Sequence, residues 1–247
     1  MPPEMPQHPL DNPTWHALTG PLAHLAIGEG PARRFRPDVA VFAAIADESP
    51  ESWHALAALS AGREAILNRR GELHLPEDWT FMGGGSGFQM MLDGPASRPE
   101  IDAQIRPLDE ADVDAMTALV QLTEPGPWRP RTITLGGYVG IEVDGRLLAM
   151  AGQRLDLDGY TEISAVCTHP DARRRGYAAA VTAAVASGIQ AVGKVPILHV
   201  AAHNPGAKRV YEQMGFVTRT SLMFSFVKPP QPATLQPPSD QPTHADR

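Results

Sequence analysis

Between Tyr160 and Gln190 the chain has little freedom in what it can become: a strand pattern, YTEISAVCT (Tyr160–Thr168), passes through the turn HPDARRRG into a helix pattern that begins at Tyr177. A period of two along the strand puts Ile163, Ala165 and Cys167 on one face and Glu162, Ser164 and Val166 on the other. Val181, Val185 and Ile189, four apart, give the helix its apolar stripe. A strand that turns directly into a helix leaves several backbone N–H groups unpaired at the helix N-terminus, all aimed at one point with the positive end of the helix dipole behind them. Gly176 lets a ligand approach the backbone, Ala178 keeps the first turn uncrowded, and Arg173, Arg174 and Arg175 set cationic side chains beside the amides. The expected guest is a small anion, and a pyrophosphate matches the number of donors. With 21 Lys and Arg against 28 Asp and Glu, a net charge of −7, the chain lacks the broad basic face that nucleic-acid binding requires.

The neighbouring patterns build an α/β fold around this turn. QIRPLDEADVDAMTALVQL predicts a strand leading into a helix with Val113, Met116 and Val120 on one stripe and Asp109 near its start. YVGIEVDGRLLAMAGQRL alternates on both sides of Asp144-Gly145 and predicts a hairpin. ILHVAA (Ile197–Ala202) has the make-up of a buried strand, NPGAKRVYEQMGF that of a helix capped by Asn204 and stopped at Gly215, and SLMFSFV that of a last strand. Upstream, DNPTWHAL and SPESWHALAAL predict helices capped by Asn12 and Ser49, while VAVFAAIA (Val39–Ala46) and FQMML (Phe88–Leu92) predict strands. The turn-rich stretch MLDGPASRPEID (Met91–Asp102) is the expected boundary between two units. The expected organisation is a tail over 1–10, a small α/β domain over 11–100, a larger mixed-sheet domain over 104–228 and a proline-rich tail over 229–247. The glycine cluster MGGGSG (Met82–Gly87) lacks the Gly-Lys-Ser/Thr ending of a phosphate-binding loop and is expected in a hairpin or loop.

A single cysteine, Cys167, excludes an intrachain disulfide and a CxxC zinc site, and no metal is expected. No basic segment followed by an apolar one opens the chain, and no apolar run is long enough to span a bilayer, so a soluble, cytoplasmic protein is expected.

Arg173-Arg174-Arg175-Gly176-Tyr177-Ala178 resembles the (Gln/Arg)-x-x-Gly-x-(Gly/Ala) loop of the GNAT superfamily of N-acetyltransferases. AVCTHP before it and NPGAKRVYEQMGF after it are similar to that family's strand end and its Asn-x-x-Ala…Tyr-Glu-x-x-Gly-Phe segment. The resemblance runs from Ile105 to about Val227 and is nearest the glycine N-acyltransferase-like branch; it departs at Arg174, where glycine is common, and at Ala178 in place of the last glycine. It implies a GNAT fold in the C-terminal half, preceded by a domain that in some relatives is a degenerate GNAT-like half. It implies acetyl-CoA as co-substrate, held at its pyrophosphate by residues 173–178 and along its pantetheine arm by the backbone of Val166, Cys167 and Thr168, with Asn204 also touching it.

By the same resemblance Glu162 takes the proton of the amine and Tyr211 gives one to the departing thiolate. Each has a plainer role open to it, Glu162 as an ion pair with Arg154 and Tyr211 as a core residue. Cys167 is expected to be a buried small hydrophobe. Acceptor recognition is assigned to TEPGPWRPRTITLGGY (Thr123–Tyr138), with Trp128, Arg129 and Arg131 as the residues to hold it. The expected activity is direct acetyl transfer to the amine of a small molecule, amino acid or peptide, the alternative being a non-catalytic acyl-CoA sensor. No nucleic-acid or membrane partner is expected, and a homodimer is left open.

Overall fold

A computed structural model describes residues 8–92 and 94–231. Two helices and a small antiparallel sheet come first. Helix α1 (Pro13–Thr19) starts at a proline that needs no amide partner there. Asn12 does not cap it; its side-chain amide donates instead to the Ile45 carbonyl at 2.8 Å. Strands β1 (Ala26–Ile27), β2 (Ala32–Phe35) and β3 (Ala43–Ile45) form the small sheet, so only the middle of the predicted strand Val39–Ala46 is extended. Helix α2 (Pro50–Ser60) is capped by Ser49, as its sequence predicts.

The main sheet has eight strands, and it takes them from both halves of the chain. From the N-terminal half come β4 (Ala65–Arg69) and β5 (Thr80–Leu92); from the C-terminal half come β6 (Ile105–Pro107), then, after α3 (Val113–Thr123), β7 (Val139–Val143), β8 (Arg146–Leu157) and β9 (Tyr160–Thr168). Helix α4 (Tyr177–Ala191), β10 (Val195–Ala201), α5 (Pro205–Gln213) and β11 (Phe216–Lys228) complete it. The order across the sheet is β4-β11-β5-β10-β9-β8-β7-β6. The predicted hairpin at Asp144-Gly145 is present, both residues having positive φ (51° and 73°), as a right-twisted two-residue turn requires.

Three expectations are corrected here. The boundary near residue 100 does not divide two separately hydrogen-bonded units, because β5 lies between β11 and β10 and pairs antiparallel with both. The glycine cluster is neither hairpin nor loop: residues 82–87 belong to β5, paired with β11. The tails are shorter than drawn. Leu10 is completely buried beside Leu18 and Phe35, and Pro229 is buried too, so packing reaches past both expected limits. The remaining parts of those tails, 1–7 and 232–247, lie outside the described residues.

Helix α4 covers one face of the sheet, with Tyr177, Val181, Val185 and Ile189 packed on Leu148, Ile163, Leu198 and Phe216. Helix α3 covers part of the other through Met116, Leu119 and Val120, against Met150 and Cys167. Next to it, α1 and the segment around Phe35 and Phe42 bury Leu155, Leu157 and Ile197. No helix among the described residues is long and apolar enough to cross a membrane.

Candidate active site

The two parallel central strands part company. β9 and β10 pair from Tyr160↔Val195 to Ile163↔Leu198 and no further. Beyond that point β10 stays with β5, through His199↔Gln89 to Ala201↔Gly87, while Cys167 and Thr168 of β9 stay with Met150 and Ala149 of β8. A bulge drives the separation: between the pairs Gly152↔Ser164 and Met150↔Cys167, β9 has one residue more than β8, and Ala165 takes up φ +53°. The bulge also overturns the period-two assignment. Ile163 packs on the α4 side and Cys167 on the α3 side, because the extra residue reverses which way the chain faces. Val166, Cys167 and Thr168 thus line a notch between strands, and Thr168 Oγ1 is buried there with no hydrogen-bond partner among the described residues.

At the end of β9 the turn holds the predicted residues together. Arg173, Arg174 and Arg175 are exposed and form no ion pair among the described residues. Gly176, at φ +77°, is the residue before α4. Its absent Cβ would meet only ordinary contacts with Ile101 and Pro99, so backbone conformation rather than crowding calls for glycine. Arg174 also has positive φ (64°) without being a glycine, a mild strain at the position where the family commonly has one. Among the described residues, the amides of Arg174 through Ala179 have no hydrogen-bond partner. Tyr177 contributes its amide only, since its ring is buried and its hydroxyl donates to Asp102 at 3.0 Å. Asn204 Oδ1 caps α5, accepting from the Ala207 amide at 3.0 Å.

Glu162 is completely buried. One oxygen accepts from Arg154 Nε at 2.9 Å; the other is bonded by Arg154 Nη2 and lies 2.6 Å from His199 Nδ1. Burial alone would raise its pKa, but the Arg154 guanidinium, the electrostatic attraction of His199 and the hydrogen bonds from both hold it down at about 2. The pattern continues past His199. Gln89 Oε1 accepts from Arg219 at 2.9 Å, so its NH2 faces Leu10 O at 2.9 Å and His199 Nε2 at 3.0 Å. His199 Nε2 therefore accepts from Gln89, and Nδ1–H donates to Glu162. Arg219 goes on to Asp11 at 2.7 Å. His199 and Gln89 were not picked out from sequence; the one signal was a lone polar residue inside each of two apolar strand patterns, ILHVAA and FQMML.

Tyr211 is half-buried on α5, edge-on to Phe216, and burial with the nearby Cys167 thiol pushes its hydroxyl up to about 12. It holds its proton at neutral pH and can donate it. Burial likewise pushes the Cys167 thiol up to about 11, leaving negligible thiolate. The native protein should accordingly resist iodoacetamide until it is unfolded.

On the α1 side of the sheet a cavity of about 420 Å³ reaches Arg154 and His199. The predicted acceptor residues do not converge on it. Trp128 donates to Thr117 Oγ1 at 2.9 Å and packs edge-on against Tyr138; Arg131 binds Asp38 through its amide (2.9 Å) and its guanidinium (3.4 Å). Arg129 bonds the Trp128 carbonyl. The loop reaches the cavity through Pro125, Gly126 and Pro127 instead.

The chain matches a crystal structure from Novosphingobium aromaticivorans, described as an acetyltransferase from the GNAT family, at 37% identity over 90% of this chain and 99% of that one, with a TM-score of 0.82. The chain belongs to the GNAT family. Residues 138–225 of this GNAT chain match the family model for FR47-like proteins, from β7 through the notch to β11. A GCN5-related N-acetyltransferase from Kribbella flavida shares the fold, with 21% identity, 88% and 94% coverage and a TM-score of 0.60. No curated protein matches the sequence. GNAT acetyltransferases use acetyl-CoA, and the residues of this GNAT chain suit it: a notch between strands leads to a cluster of amides that, among the described residues, are unpaired, flanked by the three exposed guanidinium groups of Arg173–Arg175. Among the described residues no cluster of side chains could hold a metal ion.

Proposed function

We propose that the chain is an acetyl-CoA-dependent N-acetyltransferase that transfers the acetyl group directly to a primary amine. The observation that carries this is the alignment of the β9/β10 notch with the unpaired amides of residues 174–179. The amides and Arg173–Arg175 hold the diphosphate, and the exposed edge of Val166–Thr168 takes the pantetheine arm as an added strand. An amide of that edge faces the thioester oxygen as negative charge develops on it. The amine approaches from the cavity beside Arg154 and His199.

Proton handling then follows from the hydrogen bonds. Glu162, held at about 2 and tied to two partners, does not take the amine proton at neutral pH. His199 carries a basic lone pair on Nε2, which takes the amine proton once the Gln89 amide that bonds it is displaced; Glu162 orients the ring through Nδ1 and stabilises its cation, so the role first given to Glu162 is assigned here to His199. Tyr211 protonates the thiolate as it leaves. Calorimetry with acetyl-CoA tests the first half, and absence of binding would end the proposal. For the second, His199→Gln should lower kcat about 100-fold with acetyl-CoA affinity unchanged; an unaltered kcat would remove His199 from the chemistry. An acyl-CoA sensor would bind acetyl-CoA but release no thiol with any amine.

A further inference from the structure

The glycine cluster of β5 lies in the cavity assigned to the acceptor. Gly84, Gly85 and Ser86 line the cavity, and Phe224 and Phe226 of β11 wall it on one side, with Phe42 near Arg154. Cross-strand register shows how. Gly85 lies opposite Phe224, Gly87 opposite Leu222 and Ala201, and Gln89 opposite His199. Successive odd-numbered residues of β5 thus face the same side as the His199 imidazole. At Gly87 a Cβ would come within 3.1 Å of the Phe224 ring, so glycine lets that ring lie against the strand, edge-on to His199 with centroids 5.5 Å apart. At Gly85 a Cβ would meet no atom within 4 Å, and its φ is one that any residue adopts. The space is there because a side chain is missing, not because the backbone needs glycine.

Charge narrows the guest further. Among the described residues no Asp or Glu lines the cavity, and Arg154 is neutralised by Glu162 while its guanidinium stacks 4.6 Å from the Phe42 ring centre. A polyamine would find no carboxylate for its second ammonium inside the cavity and would have to reach Glu64 in the adjoining pocket beyond Ile66 and Phe226, whereas a flat apolar group would find three aromatic rings within it. We infer that the acceptor is a primary amine carrying an apolar ring, and that Gly85, from the N-terminal half of the chain, sets how large that ring can be. This deepens the acetyl-transfer function proposed above and rests on it for the identity of the cavity.

The test uses the full chain saturated with CoA, which cannot react, titrated calorimetrically with phenethylamine and separately with butane-1,4-diamine. Phenethylamine should bind more tightly than the diamine. Gly85→Leu should weaken phenethylamine at least about 10-fold, and Gly85→Ala less, with CoA affinity kept within about two-fold as the measure of an intact fold. If the leucine variant loses CoA binding, the alanine variant decides, through any weakening of phenethylamine. Equal phenethylamine affinity in wild type and variants, no phenethylamine binding, or tighter diamine binding would each overturn the inference. Where CoA itself fails to bind wild type, the donor-site proposal falls, and the same titrations on the CoA-free protein judge the cavity alone. If phenethylamine binds and Gly85→Leu blocks it while no thiol is released from acetyl-CoA, the cavity assignment holds and the chemistry does not.

Discussion

Glu162→Gln is expected to lower the unfolding free energy by about 3–5 kcal/mol, seen as a fall in the urea midpoint at neutral pH. The carboxylate is fully buried and Arg154 mostly so; removing one charge leaves the other without its partner. The substitution also has a pH signature. The Glu162 carboxyl titrates near 2 in the folded protein against 4.5 as its ordinary value. A depressed carboxylate stabilises the fold above its unfolded pKa, and that stabilisation is lost as pH falls from about 4.5 towards 2. The difference in stability between wild type and Glu162→Gln should therefore shrink as pH falls across that interval. A difference that does not change between pH 6 and 2 would show that Arg154 and His199 do not hold Glu162 as described.

Ala178→Asp should separate binding from stability, with opposite signs. Ala178 is half-buried in the first turn of α4, which has no acidic residue, and its amide is one of those left unpaired. A carboxylate there meets the helix dipole favourably, so the free protein should gain about 0.3–1 kcal/mol. The same charge sits where a diphosphate would. Two like charges about 4 Å apart near a protein surface repel by roughly 4 kcal/mol, so acetyl-CoA affinity should fall by about 100-fold or more. Thermal unfolding and calorimetry on one variant read both effects. Retained affinity would mean that the donor phosphates lie elsewhere.

What could be read from sequence were features that a few neighbouring residues decide. Asp144-Gly145 marks its hairpin because both residues accept positive φ, and Asn204-Pro205 marks the start of α5 because one caps and the other needs no partner. The strand, arginine turn and helix were legible on the same grounds. The bulge at Ala165 was not: alanine carries no signal for a left-handed conformation, and a period of two assumes that none occurs. His199 and Gln89 escaped notice because they are 110 residues apart and meaningful only as a cross-strand pair with Glu162 at one end and Arg219 at the other. Gly84 and Gly85 matched no motif because their contribution is an absence of side chains, visible only once Phe224 and Phe226 are in place. The misplaced boundary has the same origin, since Pro and Gly between Met91 and Asp102 record a local turn and nothing about which strands pair beyond it.

The position of β5 between β10 and β11 bears on how the chain reaches this state. During synthesis β5 emerges long before either neighbour, and both of its edges wait, unsatisfied, until β10 and β11, more than a hundred residues later, have been made. Such long-range pairing slows folding and leaves an apolar ribbon open to wrong partners in the meantime. The run of glycines along it, poor in apolar side chains, makes the waiting strand less adhesive than an ordinary core strand would be.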